Sequence, residues 1–261
     1  MSDHQIRLHL LGRQLYGASG VLLGVIGLLS QDFAAVWQPI ENLGVDEHRS
    51  IVASVYAFAF LVAGATALFS RFARYGLLAL MGLHAIALLG WIPRVVATPA
   101  VGTLNGIAEM LALVVGGLVA YATFQPRSTR AFRAGHILFA ICAFWFGVTH
   151  WVEIDATADF VPKWLPLPGH FWAAATGAFY VLTSAAIVTG IQALLATRLC
   201  TAMMLGFAAL IWIPMLIAEP SHFNFCGTTI TLALAASAWV VADSIAQTAT
   251  SSTPLASQPA L

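Results

Sequence analysis

The sequence predicts an all-α integral membrane protein, with eight transmembrane helices arranged as two parallel four-helix repeats. Three observations carry this expectation. Of the 261 residues, 60% are hydrophobic and only 8% charged, with a mean hydropathy of +0.86. An average soluble domain is about 45–50% apolar and about 25% charged. The apolar residues gather in eight stretches, each close to the roughly 20 residues that a helix needs to cross the hydrocarbon. Two Trp/Pro signatures then recur in the same order in each half of the chain. The same composition excludes disorder, a collagen-like chain and a disulfide-stapled secreted fold: polar runs are few, glycine has no period, and there are three cysteines.

The first stretch runs from Leu15 to Ser30 and carries small residues at Gly17, Gly20, Gly24 and Gly27. Arg7 and Arg13 precede it as they would a secretory signal, but the following SQDFAAVWQPI has no small-residue cleavage site, so it is expected to be a retained helix. The second runs from Ser50 to Ser70, and the third from Tyr75 to Trp91, with His84 near its middle. The fourth, Val101 to Tyr121, contains Glu109 and the pair Gly116-Gly117. The fifth is Ala134 to Trp151 and includes His136 and His150, and the sixth is His170 to Ile191. Leu199 to Ile217 and Phe223 to Val241 complete the set. What remains suffices for tails and connections but not for a soluble domain. The tail from Thr248 to Leu261, rich in Ser, Thr, Pro and Ala, is expected to be disordered.

Lys and Arg set the orientation. Alternate connections carry Arg7 and Arg13, Arg71 and Arg74, Arg127, Arg130 and Arg133, and Arg198, while the other side holds Arg49, Arg94 and Lys163. This bias predicts both termini on the cytoplasmic side of the membrane. The opposite side is acidic, with Asp32, Glu41, Asp46, Glu47, Glu153, Asp155, Asp159 and Glu219. With no soluble basic surface, nucleic acid is excluded as a partner.

The repeat is read from Asp32-Phe33-x-x-x-Trp37-x-Pro39, which recurs as Asp159-Phe160-x-x-x-Trp164-x-Pro166, an offset of 127. Trp91-Ile92-Pro93-x-x-x-Ala97-x-Pro99 recurs as Trp212-Ile213-Pro214-x-x-x-Ala218-x-Pro220, an offset of 121. A longer connection after Pro39 accounts for the change. Residues 1–127 and 128–247 are then the two repeats and 248–261 the tail. Four spans per repeat make both halves enter from the same side, so the repeats are parallel, not inverted.

An ionisable residue inside a bilayer is costly, which makes each one a site hypothesis. His150 and Glu109 fall at similar depth toward the outer side. Glu153 follows His150 by three residues and shares its helix face if the helix continues. The alternative for His150 is a hydrogen bond to a loop carbonyl or to Glu153, locking the Trp-Leu-Pro loop down. For Glu109 the alternative is a pairing with Arg94 or with Asn105. His48, His170 and His222 gather at the outer rim near acids and are read as helix-end and interface residues rather than metal ligands, since no helix carries a ligand pair. His136 and His150 are spaced for stacked haems, but no second helix offers a matching pair. Cys142 lies mid-span, Cys200 at the cytoplasmic end and Cys226 near the outer side, so no disulfide is expected. Trp37, Trp91, Trp151, Trp164 and Trp212 fall at outer span ends, where Trp is favoured, and their loops form either anchors or a lid over a cavity.

Gly147-Val-Thr-His150-Trp151, then Phe160-Val-Pro-Lys-Trp164-Leu-Pro166-Leu-Pro168, then Trp172-Ala-Ala-Ala-Thr-Gly177 resembles the DoxX-like family of small four-helix bacterial membrane proteins. The match covers roughly Gly135 to Ile217. The first half is a degenerate form, with Val36-Trp37-Gln38-Pro39 in the loop and Leu23 in place of the histidine. The resemblance implies a doubled four-helix unit and a link to quinone-coupled membrane redox systems. Residues and resemblance together predict a ligand site of His150, Glu153, Glu109, Trp151 and Trp164, built mainly by the second half. It would take a quinone or a membrane lipid without a covalent cofactor, with His150 donating to a quinone carbonyl and a glutamate relaying the proton. The alternatives are a scaffold subunit bound to a membrane or redox protein partner, and a small-molecule transporter.

Overall fold

The computed structural model describes residues 3–34, 46–125 and 129–251. The signature at Trp37 and Pro39, most of the longer connection after it, Arg127 and the chain beyond Ser251 lie outside the described residues. Among the described residues all regular structure is helical: α1 (Asp3–Ser30), a 3-10 turn (Asp46–His48), α2 (Arg49–Leu68), α3 (Ala73–Ala97), α4 (Val101–Ala122), α5 (Thr129–Val152), α6 (Ile154–Asp159), α7 (Gly169–Thr189), α8 (Ala193–Phe207), a π turn (Ala208–Trp212), α9 (Ile213–Ala218) and α10 (His222–Ser251). Eight helical stretches are long and apolar enough to cross a membrane, the seventh being α8, the π turn and α9 together.

Several helices outrun the apolar stretches that announce them. Hydropathy marks only the apolar part of a helix, whereas each residue added to a formed helix gains a backbone hydrogen bond. Accordingly α8 begins at Ala193, which places Cys200 fully buried within the helix rather than at its start. α10 continues to Ser251, so the first part of the expected disordered tail is helical. The short α6 was not expected. The chain leaves α5 at Glu153, whose φ of −105° and ψ of 43° break the helix, and Thr157 N then donates to Glu153 O at 2.9 Å to start α6.

The two Trp-Ile-Pro signatures adopt different backbones. Pro93 sits inside α3, which stays a continuous helix. Pro214 follows the π turn and stands in the first turn of α9. Proline has no N–H for the carbonyl four residues before it, and a single wide turn is a recurring answer, often found at functional sites. Both helices then end alike. The cap Thr98 donates its N–H to Arg94 O, the cap Glu219 donates to Met215 O, both at 2.8 Å, and both caps have a φ of −141°.

Helices α1 to α4 pack in sequence, α1 on α2, α2 on α3 and α3 on α4. In the same way α5 packs on α7, α7 on α8 and α8 on α10. The two groups meet through α4 on α5, α10 on α1, and α4 against α10 at the centre. Those two central helices are the most buried of the eight spans. Small residues allow the close approaches. Gly147 and Gly177 bring α5 against α7, and a Cβ on Gly116 would collide with Ser237 across the α4–α10 contact. The indole of Trp91 lies on Gly106 and that of Trp212 on Gly227.

The core of the first group is solid. Tyr16, Phe60, Leu80, His84 and Met110 are all fully buried. The Tyr16 hydroxyl donates to Leu113 O at 2.7 Å, and the His84 ring stands edge-on to Phe60 at 5.0 Å. Phe33, only 2% exposed, closes this core from above. Asp32 holds it there, accepting from Phe33 N at 2.7 Å and pairing with Arg49 at 2.6 Å.

Candidate functional site

The second group, together with α4, forms a half-open cavity of about 540 Å³. Its inner wall follows from the α5–α7 contact. With no Cβ at Gly147 or Gly177 the two backbones meet, and His150 and Tyr180 come together one turn further along. Their rings stand edge-on at 5.3 Å, and the face of Phe207 stacks on His150 at 6.3 Å and 21°. Nδ1 of His150 donates to Phe146 O at 2.8 Å, the i−4 carbonyl of its own helix. One ring nitrogen is thus tied to the backbone, and Nε2 remains for other partners.

Glu109 reaches the same cavity from α4. Asn105 Nδ2 donates to its Oε1 at 2.8 Å, while the Arg94 guanidinium lies over the Trp91 ring. Of the two partners open to Glu109 in the sequence, Asn105 is the one it has. Glu153 lines the outer edge of the cavity, with its carboxylate over Gly102 in the first turn of α4. Exposed backbone N–H groups at a helix N-terminus favour a negative charge there by about 0.3–1 kcal/mol.

The roof is α6 and the segment after it, from Phe160 to Leu165. Trp172 fastens this segment, donating from Nε1 to Pro166 O at 2.7 Å. The turn also contains Leu167 at a φ of 73°, the left-handed region that costs a branched side chain energy. The far wall is the wide turn, with Leu210, Ile211 and Trp212.

Of the five residues expected to form a ligand site, His150, Glu109 and Glu153 share this cavity. Trp151 and Trp164 are not among its lining residues. Trp151 points along α7, donating from Nε1 to Ala174 O at 3.1 Å, and Trp164 is 68% exposed beyond the roof. Tyr180, Phe207, Met203, Met204 and Thr231 line the cavity without having been singled out. In an apolar span such residues read like lipid-facing ones. The available signal was the threonine at 231, where the first half has Met110 at the repeat offset.

The remaining polar residues are dispersed. His170 pairs with Asp155 at 2.8 Å on the exposed rim. His136 Nε2 donates to Ser244 Oγ at 2.7 Å at the other end of α5. His222 lines a second cavity of about 420 Å³ between α1 and the start of α10, beside Leu22, Ile26 and Leu29. The cysteines 142, 200 and 226 are buried. Among the described residues no three His, Cys, Asp or Glu side chains converge to hold a metal ion. The chain matches no family model, no curated protein and no solved structure.

Proposed function

We propose that the chain is a DoxX-like inner-membrane protein whose second half holds an amphipathic small molecule, a quinone or a membrane lipid, as the membrane component of a redox system. The observation that carries the ligand reading is the cavity itself. A space of about 540 Å³, apolar over most of its wall, has His150, Glu109 and Tyr180 at its inner end and Glu153 at its edge. An apolar pocket with a few convergent polar groups is the usual form of a small-molecule site. The redox reading rests on the family resemblance of residues 135–217.

In this reading the two groups of helices are parallel repeats with both termini in the cytoplasm. Equivalent positions making equivalent contacts support the repeat. At the offset of 121, Trp91 on Gly106 corresponds to Trp212 on Gly227. Thr103 Oγ1 donates to the carbonyl of the cap Thr98 at 2.8 Å, and its counterpart Asn224 donates to that of Glu219 at 2.9 Å. Gly116 and Ser237, themselves 121 apart, touch each other, as a pair on a local two-fold axis must.

The test is to extract the purified protein with organic solvent and identify the bound small molecules by mass spectrometry. A stoichiometric quinone or lipid is expected from the native protein. His150→Leu, which installs the first-half residue, is expected to lose it while remaining folded, and Leu23→His to retain it. An extract from the native protein no richer than that of an unrelated membrane protein rules the reading out.

A further inference from the structure

The hydrogen-bonding groups around the inner end of the cavity are unevenly divided. His150 Nδ1 lies 2.8 Å from Phe146 O. A carbonyl only accepts, so Nδ1 carries the proton, and Nε2 of the neutral ring presents a lone pair. Thr149 donates its hydroxyl proton to Trp145 O at 3.0 Å, and Thr176 donates to Trp172 O at 2.8 Å. Both threonines line the cavity, and with its proton spent each oxygen can only accept. Asn105 satisfies one oxygen of Glu109, and the other serves either role, accepting as a carboxylate and donating as a carboxylic acid. Against these stand the second amide proton of Asn105 and the hydroxyls of Tyr180 and Thr231, which rotate to serve either role.

We infer that the cavity selects a head group that donates a hydrogen bond, an O–H or an N–H, over one that only accepts. The inference rests on the reading that the cavity holds an amphipathic small molecule. An acceptor buried against a ligand without a donor loses its water and gains nothing, a larger penalty than the gain from a made bond. Selection therefore works mainly by rejecting the wrong head group. For a quinone couple the favoured form is the hydroquinone, whose hydroxyls donate, over the quinone, whose carbonyls accept. This reverses the direction expected from the sequence, in which His150 donates to a carbonyl.

Three probes with one tail separate the cases: 4-decylphenol, 4-decylaniline and 4-decylanisole, titrated into the full-length protein in detergent with empty micelles as the blank. The phenol or the aniline is expected to bind about tenfold more tightly than the anisole, and whichever leads identifies O–H or N–H as the donor. His150→Phe keeps a ring between Tyr180 and Phe207 but has no acceptor. It is expected to reduce the preference to about threefold or less. An anisole that binds the native protein as tightly as both donors overturns the inference and leaves the cavity reading standing. Saturable binding of none of the three overturns both. A preference that survives intact in His150→Phe removes His150 as the selecting acceptor. Should that variant not fold, the ranking on the native protein decides.

Discussion

Where the core of the first half is filled, the second half opens a cavity, and the same positions account for both. Leu23 is 2% exposed in the first core, while His150, its counterpart at the offset of 127, lines the cavity. Met110 is fully buried, and Thr231, its counterpart at 121, faces the same space with a smaller side chain. Phe33 is driven into the first core, whereas the matching Phe160 is 42% exposed and leans on Trp212 at 5.8 Å. Arg49 pairs with Asp32 and draws the chain inward. His170, which takes the place of Arg49 at the repeat offset, pairs with Asp155 and leaves Asp159 aside. The comparison teaches that a few shortened or redirected side chains, one short extra helix and one widened turn suffice to open a cavity on a framework that packs closely in the first core.

The largest expected effect separates the two interiors. Phe60→Ala removes a ring enclosed on all sides and is expected to cost about 3–5 kcal/mol. Phe207→Ala, with one face already on open space, is expected to cost less than about 2 kcal/mol, because fewer contacts are lost. Thermal unfolding in detergent measures both, and equal losses would erase the distinction between filled and hollow. A smaller effect tests whether the space is functional. Thr231→Met copies the first-half residue into the cavity and is expected to add about 1 kcal/mol of stability through better packing while displacing any bound molecule. Stability and ligand content should move in opposite directions, and a variant that gains stability yet keeps its ligand puts the site elsewhere. The smallest effects concern the ion pairs. Asp32→Asn removes the partly shielded partner of Arg49 and the support of Phe33, and is expected to cost about 1 kcal/mol. His170→Ala breaks an exposed pair and is expected to change the melting temperature within error. A reversal of these two would mean that the rim of the second half, and not of the first, is the fastened one.

The eight long helices were legible because length and apolarity alone decide them. Their ends were not, because polar and small residues such as those from Ala242 to Ser251 continue a helix without contributing to hydropathy. The candidate site was legible where chemistry is rare. His150, Glu109 and Glu153 stand out in apolar spans, and the structure brings them to one cavity. Its apolar wall was hidden, since Met203, Met204 and Phe207 differ in no local way from residues such as Leu195 or Leu199, which are exposed on the same helix. The two indoles at 151 and 164 drew attention by type, but Trp151 is taken up by the α7 backbone and Trp164 by the surface. The π turn had a cue in Pro214, but Pro93 carries the same cue in a continuous helix, so neighbouring packing decides between them.

The contact between Gly116 and Ser237 has a consequence for how the halves came to differ. If two separate copies of a four-helix chain met as a symmetric pair, each residue on the axis would face itself, and its surface would have to be self-complementary. Two serines would crowd this close approach, and two glycines would leave it underfilled. In one continuous chain a glycine receives a serine whose hydroxyl is spent on Ala233 O at 3.0 Å. On the two-repeat reading, the seam thus escapes the demand that every change be made twice. One half is then free to specialise in holding the assembly together, and the other is free to keep an empty space.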